Sequence, residues 1–220
     1  MKTRTVVIVV VSILLMAGFT QAGVISIDFV ANGSAAVSGD VTGGLTGQTG
    51  LWNALPLDGA QSLSNLKDGD QVDTAFGFAL SGVDHVQVGG SPFNPGVILP
   101  GDNPERPWCT GGEDGYTMTF TGLLADTEFD LVVFGTGDPR MVYNINGGSD
   151  IAPPATPYST KQMSNSSGEI VILVTCGGDT YANYGEVAGA QLGGASIPEP
   201  ATMALLAFGG LAILRRRNRR

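Results

Sequence analysis

Short runs of β-branched and aromatic residues, separated by glycine, asparagine, aspartate and proline, fill the middle of this chain. Glycine contributes 33 of the 220 residues, well above the usual share of about 7%, and no segment between residues 23 and 196 has a helical period. Because an apolar sheet face must be covered and no helix is available, we expect a β-sandwich or a barrel. The pattern predicts eight strands, over residues 24–30, 72–80, 83–88, 116–120, 129–135, 141–145, 169–175 and 186–192.

Two of these predicted strands are continuously apolar. Residues 131–134 and 170–174 show no alternation of apolar and polar side chains. A continuous run of this kind indicates a strand that is covered on both of its faces. We therefore expect both segments to be buried between two sheets.

The residues from 198 onward form a segment with three parts. Pro198-Glu199-Pro200 is followed by an uncharged apolar stretch over residues 201–214 and by five arginines within 215–220. As a helix the stretch would span about 21 Å, whereas a bilayer usually needs about 20 apolar residues, so a short buried helix is the alternative. The stretch is apolar on all faces, and arginine stems can snorkel to the interface and set its orientation. We predict a linker at 194–200, a transmembrane anchor at 201–214 and a cytoplasmic arginine cluster at 215–220.

This arrangement resembles the PEP-CTERM sorting signal of Gram-negative bacteria that make extracellular polysaccharide. The resemblance rests on Pro198, Glu199 and Pro200, the apolar stretch and the arginine cluster, in that order. It implies recognition by an exosortase, a membrane cysteine transpeptidase, which removes the anchor. The mature protein would then be released or attached at the cell surface.

The other end of the sequence also indicates export. Lys2 and Arg4 precede an apolar run over residues 6–16, and the small residues Thr20 and Ala22 come just before Gly23. This order is typical of a secretory signal peptide, with an uncleaved N-terminal anchor as the alternative. We predict a signal peptide at 1–22 and one β-sandwich domain at 23–193.

The segment between the two targeting regions is strongly acidic. Four basic residues, Lys67, Arg106, Arg140 and Lys161, stand against 19 acidic ones within residues 23–196, which gives a net charge of −15. Nucleic-acid binding depends on lysine and arginine contacts to phosphates, so the composition argues against a nucleic-acid partner.

Cys109 and Cys176 are the two cysteines of the chain. In an exported protein a pair is most simply a disulfide, worth on the order of 4 kcal/mol for a loop of this length. Two buried free thiols are the alternative. A zinc site would need more ligands than two cysteines and one histidine without a Cys-x-x-Cys pair.

A second resemblance covers most of the body. The segments that carry it are Leu51-Trp52-Asn53, Ser64-Asn65-Leu66 with Asp68-Gly69-Asp70, Phe120-Thr121-Gly122-Leu123, the strand at 129–135, the residues 167–172, and Ala190-Gln191-Leu192. They resemble a domain of exported bacterial proteins that is similar to galactose-binding-like jelly rolls. The resemblance implies an all-β antiparallel sandwich and fixes no ligand residues.

Catalytic and metal patterns are weak in this sequence. The only histidine, His85, alternates with valines as on an exposed strand, and no Gly-x-Ser-x-Gly accompanies it. A glycosidase needs two carboxylates across a cleft, and nothing pairs any two of Glu105, Glu113, Asp114, Glu169 and Glu186. Asp68, Asp70 and Asp73 are weak Ca²⁺ candidates, because their spacing departs from the EF-hand pattern and also fits an ordinary Asp-Gly turn. We expect no catalytic residues and no cofactor other than, at most, Ca²⁺.

The proline-rich segment 91–115 is predicted to be a long loop without regular structure, a kind of loop that is often functional. An exposed Trp108 could stack on a sugar ring while Arg106, Glu113 and Asp114 bond its hydroxyls; alternatively, the tryptophan covers the end of the sandwich. Trp52 presents the same two alternatives. The sequence thus predicts an exported, non-catalytic protein with a structural or adhesive role in a polysaccharide-rich envelope, or alternatively a carbohydrate-binding module.

Overall fold

The computed structural model describes residues 23–30, 36, 38–57, 61–83, 115–135, 141–152, 157–176 and 186–194, and the backbone of two further strands at 85–88 and 105–108. The chain divides into two compact units, one of residues 24–195 and one of residues 1–23 with 196–220. The predicted signal peptide, the anchor, the arginine cluster and nearly all of the linker lie outside the described residues. None of the described segments is an apolar helix of membrane-spanning length.

The described residues form strands and turns without helices. Two sheets dominate, with strand orders β11-β8-β13-β1-β2 and β10-β9-β12-β7-β4-β3, and β5 pairs with β6 in a separate ribbon. All pairs are antiparallel except β1 with β2. The strands are β1 Ile25–Val30, β2 Asn53–Pro56, β3 Ser62–Ser64, β4 Gly77–Ser81, β5 His85–Val88, β6 Glu105–Trp108, β7 Tyr116–Thr121, β8 Glu128–Gly135, β9 Met141–Ile145, β10 Asp150–Ile151, β11 Tyr158–Met163, β12 Ile170–Cys176 and β13 Val187–Gly193.

The predicted fold class is confirmed, and each of the eight predicted ranges overlaps a strand. Five strands were missed, namely β2, β3, β6, β10 and β11. Four are short, and β11 is polar because it lies at a sheet edge, where its side chains alternate between half-buried and exposed. The prediction of a structureless 91–115 loop is wrong at residues 105–108, which form β6 by pairing with β5.

Aromatic side chains join the inner faces of the two main sheets. Phe29 of β1 packs against Phe78 of β4 with ring centroids 5.9 Å apart, and Phe78 meets Phe120 of β7 edge-on at 5.0 Å. All three rings are fully buried. Because Phe29 belongs to one sheet and the other two rings to the second sheet, this contact defines the core of a sandwich.

The outer face of the five-stranded sheet is covered by a loop rather than by a sheet. Trp52, Val132, Phe134 and Ala188 form a buried cluster, against which Ala36, Val41 and Leu45 pack. Ala188 reaches this cluster at an irregularity in the β8–β13 register between Val187 and Gly189. A bulge of this kind turns an extra side chain toward one face of a sheet.

The expectation for the two continuous apolar runs is therefore corrected. Residues 131–134 are buried on both faces, but one face is covered by the loop cluster and not by a second sheet. Residues 170–174 are buried on one face only, because Val171 and Leu173 are half-buried on the outer face of the six-stranded sheet. β-branched residues are common on a half-buried sheet face, so an uninterrupted apolar run in the sequence does not show that both faces of the strand are buried.

Removal of one inner ring should destabilise the sandwich strongly. Phe120→Ala should lower the free energy of unfolding by about 3–5 kcal/mol, because it leaves a cavity in a packed core. Its neighbour Thr119 is half-buried on the opposite face, so Thr119→Ala should cost less than about 1 kcal/mol. Denaturant unfolding measures both values, and equal losses would contradict the assignment of faces.

Candidate functional site

One end of the sandwich, which we call the loop end, is the end at which β7 begins and at which β8 and β12 finish. In the six-stranded sheet, β12 ends between β7 and β9. Val174 of β12 pairs with Tyr116, the first residue of β7, and Cys176 pairs with Met141, the first residue of β9. In the other sheet, β8 ends at Gly135 opposite Val187, where β13 begins. The described ends of these strands therefore lie at the same end of the sandwich.

The two sheets approach each other closely at the loop end. A Cβ atom on Gly135 would lie 2.5 Å from Cε of Met141 and would also collide with the hydroxyl of Tyr143. Met141 and Tyr143 belong to the six-stranded sheet and Gly135 to the five-stranded one, so a larger residue at position 135 would displace these two side chains. We call this contact between the sheets the floor of the loop end.

Buried ionisable groups form that floor. Tyr116, Tyr143 and Glu186 are all essentially inaccessible to water. Burial is the main cause that raises the pKa of Tyr116 well above its usual value, and Tyr143 and Glu186 raise it further. The pKa of Tyr143 is also raised, chiefly by burial and then by Tyr158. The hydroxyl of Tyr143 has no hydrogen-bond partner within the described part of the chain.

The backbone places two of the predicted ligand residues on the β5–β6 ribbon. Trp108 pairs with His85, and Arg106 pairs with Gln87. β6 runs beside β13 and β1 of the five-stranded sheet. The side chains of this ribbon lie outside the described residues, and so do Glu113 and Asp114. The last two immediately precede Gly115 and Tyr116, so the chain enters β7 at the loop end directly after them.

Cys176 closes β12 at the loop end and is disulfide-bonded. Cys109 is the other cysteine of the chain and lies outside the described residues. The pairing of Cys109 with Cys176 stays a prediction. A bond between them would hold the segment that follows β6 against the end of β12.

Trp52 has a structural role, and its alternative role as an exposed sugar platform is wrong. Its side chain is only 3% exposed, packs on Phe134 with ring centroids 5.6 Å apart, and donates a hydrogen bond from Nε1 to the carbonyl of Gly39 at 3.0 Å. A buried indole that is satisfied in this way has no face left for a ligand.

The aspartates proposed for Ca²⁺ lie in a turn at the opposite end. Oδ1 of Asp68 accepts hydrogen bonds from the backbone N–H groups of Asp70 at 3.0 Å and Val72 at 2.9 Å. This is the geometry of an aspartate that stabilises a turn. Within the described ranges, no group of three or more histidine, cysteine or acidic side chains could hold a metal ion.

The described carboxylates of the glycosidase set are far apart. Glu186 precedes β13 at the loop end, whereas Glu169 precedes β12 at the opposite end and accepts a hydrogen bond from Asn165 at 3.3 Å. β12 has seven residues, so about 20 Å separates its two ends. The structure does not bring these two carboxylates together.

Sequence reasoning missed the buried polar groups. Nε2 of Gln191 donates to Oγ of Ser26 at 3.0 Å, and Oγ of Ser26 donates to Oε1 of Gln48 at 3.0 Å, all under the loop that covers the five-stranded sheet. Oε1 of Gln191 accepts from the N–H of Leu45 at 2.7 Å. Serine and glutamine on a strand usually indicate a solvated face, and the loop before Trp52 is rich in glycine, so no sequence pattern indicated that this face is covered.

A family comparison assigns the C-terminal residues. Residues 196–220 match the PEP-CTERM protein-sorting motif. The chain carries a PEP-CTERM sorting motif. This confirms the resemblance seen in the sequence, and the motif marks an exported protein that is anchored in a membrane and then processed, in general by an exosortase.

Comparisons of the whole chain are less informative. No curated protein matches its sequence. Among solved structures, a fungal exo-β-1,3-galactanase from Phanerochaete chrysosporium with galactose aligns at 17% identity and a TM-score of 0.27, over 52% of this chain and 29% of that chain. A CBM36-1 domain of a multidomain xylanase from the hindgut metagenome of Trinervitermes trinervoides aligns at 15% identity and a TM-score of 0.29, over 55% of this chain and 99% of that chain. Scores this low support no argument about this chain.

The buried tyrosine at the loop end makes a prediction about alkaline stability. The pKa of Tyr143 is raised in the folded state. Below the unfolded pKa of about 10 this shift does not reduce the stability of the fold. Above that pH the unfolded tyrosine loses its proton while the folded one keeps it, so the free energy of unfolding falls as the pH rises. Tyr143→Phe should therefore lose less stability than the wild type between pH 7 and 11. At pH 7 the variant should be at least as stable as the wild type, because the buried hydroxyl that it lacks has no hydrogen-bond partner among the described residues. Urea unfolding at both pH values decides this, and parallel losses would contradict it.

Proposed function

We propose that this protein is a non-catalytic structural or adhesive component of a polysaccharide-rich cell envelope. The PEP-CTERM motif at residues 196–220 is the observation that carries the proposal. The N-terminal segment would direct the chain across the inner membrane, and the apolar stretch 201–214 would hold it there. An exosortase would then cut the chain and leave the β-sandwich at the cell surface or in the extracellular matrix.

The construction of the body supports a role outside the cell. Its two sheets share an aromatic core, and the outer face of the five-stranded sheet has its own apolar cluster. Cys176 is disulfide-bonded, and disulfides persist in oxidising compartments. The net charge of −15 on residues 23–196 favours solubility and attracts cations in a hydrated matrix.

Removal of the sorting motif tests this proposal. Replacement of Pro198, Glu199 and Pro200 by alanine should leave the precursor uncut in the membrane, because the processing enzyme would lose its recognition element. Immunoblots of membrane and extracellular fractions from an exosortase-containing host measure the result. As a matched control, Pro153→Ala and Pro154→Ala change two prolines outside the motif and should leave maturation unchanged. Normal maturation of the motif variant would refute the proposal.

Carbohydrate binding at the loop end is the second candidate function. The observation that favours it is the order of the elements along the chain, because β6 ends at Trp108 and β7 begins at Tyr116, at the loop end. Arg106, Glu113 and Asp114 belong to the same stretch of chain and could bond sugar hydroxyls beside a stacked indole. An aromatic ring flanked by charged groups is a common way to hold a sugar.

The two tryptophans of the chain provide a matched test of this candidate. Trp108→Ala should abolish retention of the protein on an extracellular polysaccharide of a PEP-CTERM host, measured by affinity electrophoresis with and without Ca²⁺. Trp52→Phe should leave retention unchanged, since Trp52 is buried against Phe134. Equal retention of both variants would remove Trp108 from the binding site.

A further inference from the structure

The chain enters and leaves the sandwich at the end opposite the loop end, which we call the exit end. Ile25, at the start of β1, pairs with Leu192 near the end of β13. Gly194 follows directly and would bring a Cβ atom within 3.1 Å of the Cα of Phe129. The exit end therefore includes the start of β8 and the point from which the chain runs on to the sorting motif.

Four large apolar side chains are exposed at the exit end. Leu51, Val72, Leu124 and Met163 are 55%, 43%, 43% and 51% exposed, and they are the large exposed hydrophobic residues among the described side chains. Leu51 precedes β2, which starts beside the beginning of β1, and Met163 pairs with Glu128 at the start of β8. We call these four residues the exit patch.

Contacts between loops connect the two halves of the exit patch. Nε2 of Gln71, next to Val72, donates to the carbonyl of Leu51 at 3.0 Å. Oγ of Ser164, next to Met163, donates to the carbonyl of Leu124 at 2.5 Å. These hydrogen bonds place the four residues in two pairs, Leu51 with Val72 and Leu124 with Met163. The loops that carry Val72 and Leu124 approach each other at Gly122, where an added Cβ atom would lie 2.6 Å from the carbonyl oxygen of Ala75.

The chain length to the sorting motif limits what can meet this patch. Pro198 is four residues beyond Gly194, a distance of at most about 14 Å when fully extended. A membrane enzyme that holds Pro198 to Pro200 in its active site is much wider than this tether. Its surface around the active site must therefore come against the exit end.

The charges at the exit end favour a protein over a lipid surface. Asp70 and Asp73 lie on either side of Val72 in the chain, and Asp126 lies between Leu124 and Glu128; all four of these acidic residues are exposed. Lys67, whose backbone bridges to Asp73, is an exposed basic residue of the same loop as Val72. Nζ of Lys161 lies 2.8 Å from Glu128 and 3.6 Å from Asp130, so its charge is balanced within the chain. Peripheral binding to anionic lipids needs clusters of lysine and arginine. An apolar patch with an acidic rim instead fits a protein surface with an apolar contact area and a basic rim.

We propose that the exit patch docks on the extracytoplasmic surface of the transpeptidase that cuts the PEP-CTERM motif. This proposal rests on the processing proposed above and adds a second recognition element, on the folded body. The motif supplies the segment to be cut, and the exit patch increases the affinity of the enzyme for this substrate. Interfaces of this kind depend on a few apolar anchors surrounded by polar residues.

Processing kinetics of the full chain test the docking. A variant with Leu51→Ser, Val72→Thr, Leu124→Ser and Met163→Gln should be cut about tenfold more slowly than the wild type in pulse–chase experiments, equivalent to about 1.4 kcal/mol. Asp70→Lys with Asp73→Lys should also slow cutting, because it places like charges against the basic rim. The control variant Val171→Thr with Leu173→Thr changes apolar residues on the outer face of the six-stranded sheet and should be cut at the wild-type rate.

The outcomes separate the docking proposal from the processing proposal. If the wild-type chain is never cut, processing itself fails. If the wild type and the exit-patch variant are cut at equal rates, or if the control is slowed as much, docking fails while processing stands. A photo-crosslinking residue in place of Met163 should label the transpeptidase; labelling only of lipid or of a second copy of the chain would also overturn the docking proposal.

Discussion

The antiparallel pairing of β1 with β13 is the constraint on which the rest of the molecule depends. It joins the first and last strands of the body at the centre of the five-stranded sheet, from Ile25 opposite Leu192 to Asp28 opposite Gly189. Both connections toward the targeting segments therefore leave at the exit end. The end of β8 at Gly135, the end of β12 at Cys176 and the start of β7 at Tyr116 lie at the other end, the loop end.

This central position has a physical cost, because a strand in the middle of a sheet with both faces covered must bury its polar side chains. Ser26, Gln48 and Gln191 are all essentially buried, and they satisfy one another through hydrogen bonds under the covering loop. A buried polar network of this kind is favourable only when its members are satisfied. Loss of one amide would leave its neighbours without a partner. The same hydrogen bonds fix the loop before Trp52 to the sheet.

The fold could be predicted from the sequence much further than the site. The alternation of Tyr116, Met118 and Phe120 with threonines predicts a strand with one buried face. Asn146-Gly147, both with positive φ, is a dipeptide typical of hairpin turns, so the end of β9 could also be predicted. Burial of Trp52 could not be predicted, since it depends on Phe134, more than 80 residues later, and on a loop without a strand period. In the sequence, Tyr116 and Tyr143 resemble ordinary core residues. Only the contact between the two sheets at Gly135 shows that these tyrosines form the floor of the loop end.

The central claim is that a folded β-sandwich is exported on a temporary anchor and then freed from it. The intact mass of the protein recovered from the surface of an exosortase-containing host tests this claim most directly. The account predicts a chain that begins near Gly23 and lacks residues 201–220, with the sandwich complete. Recovery of a surface protein that still contains the apolar stretch 201–214 would contradict it.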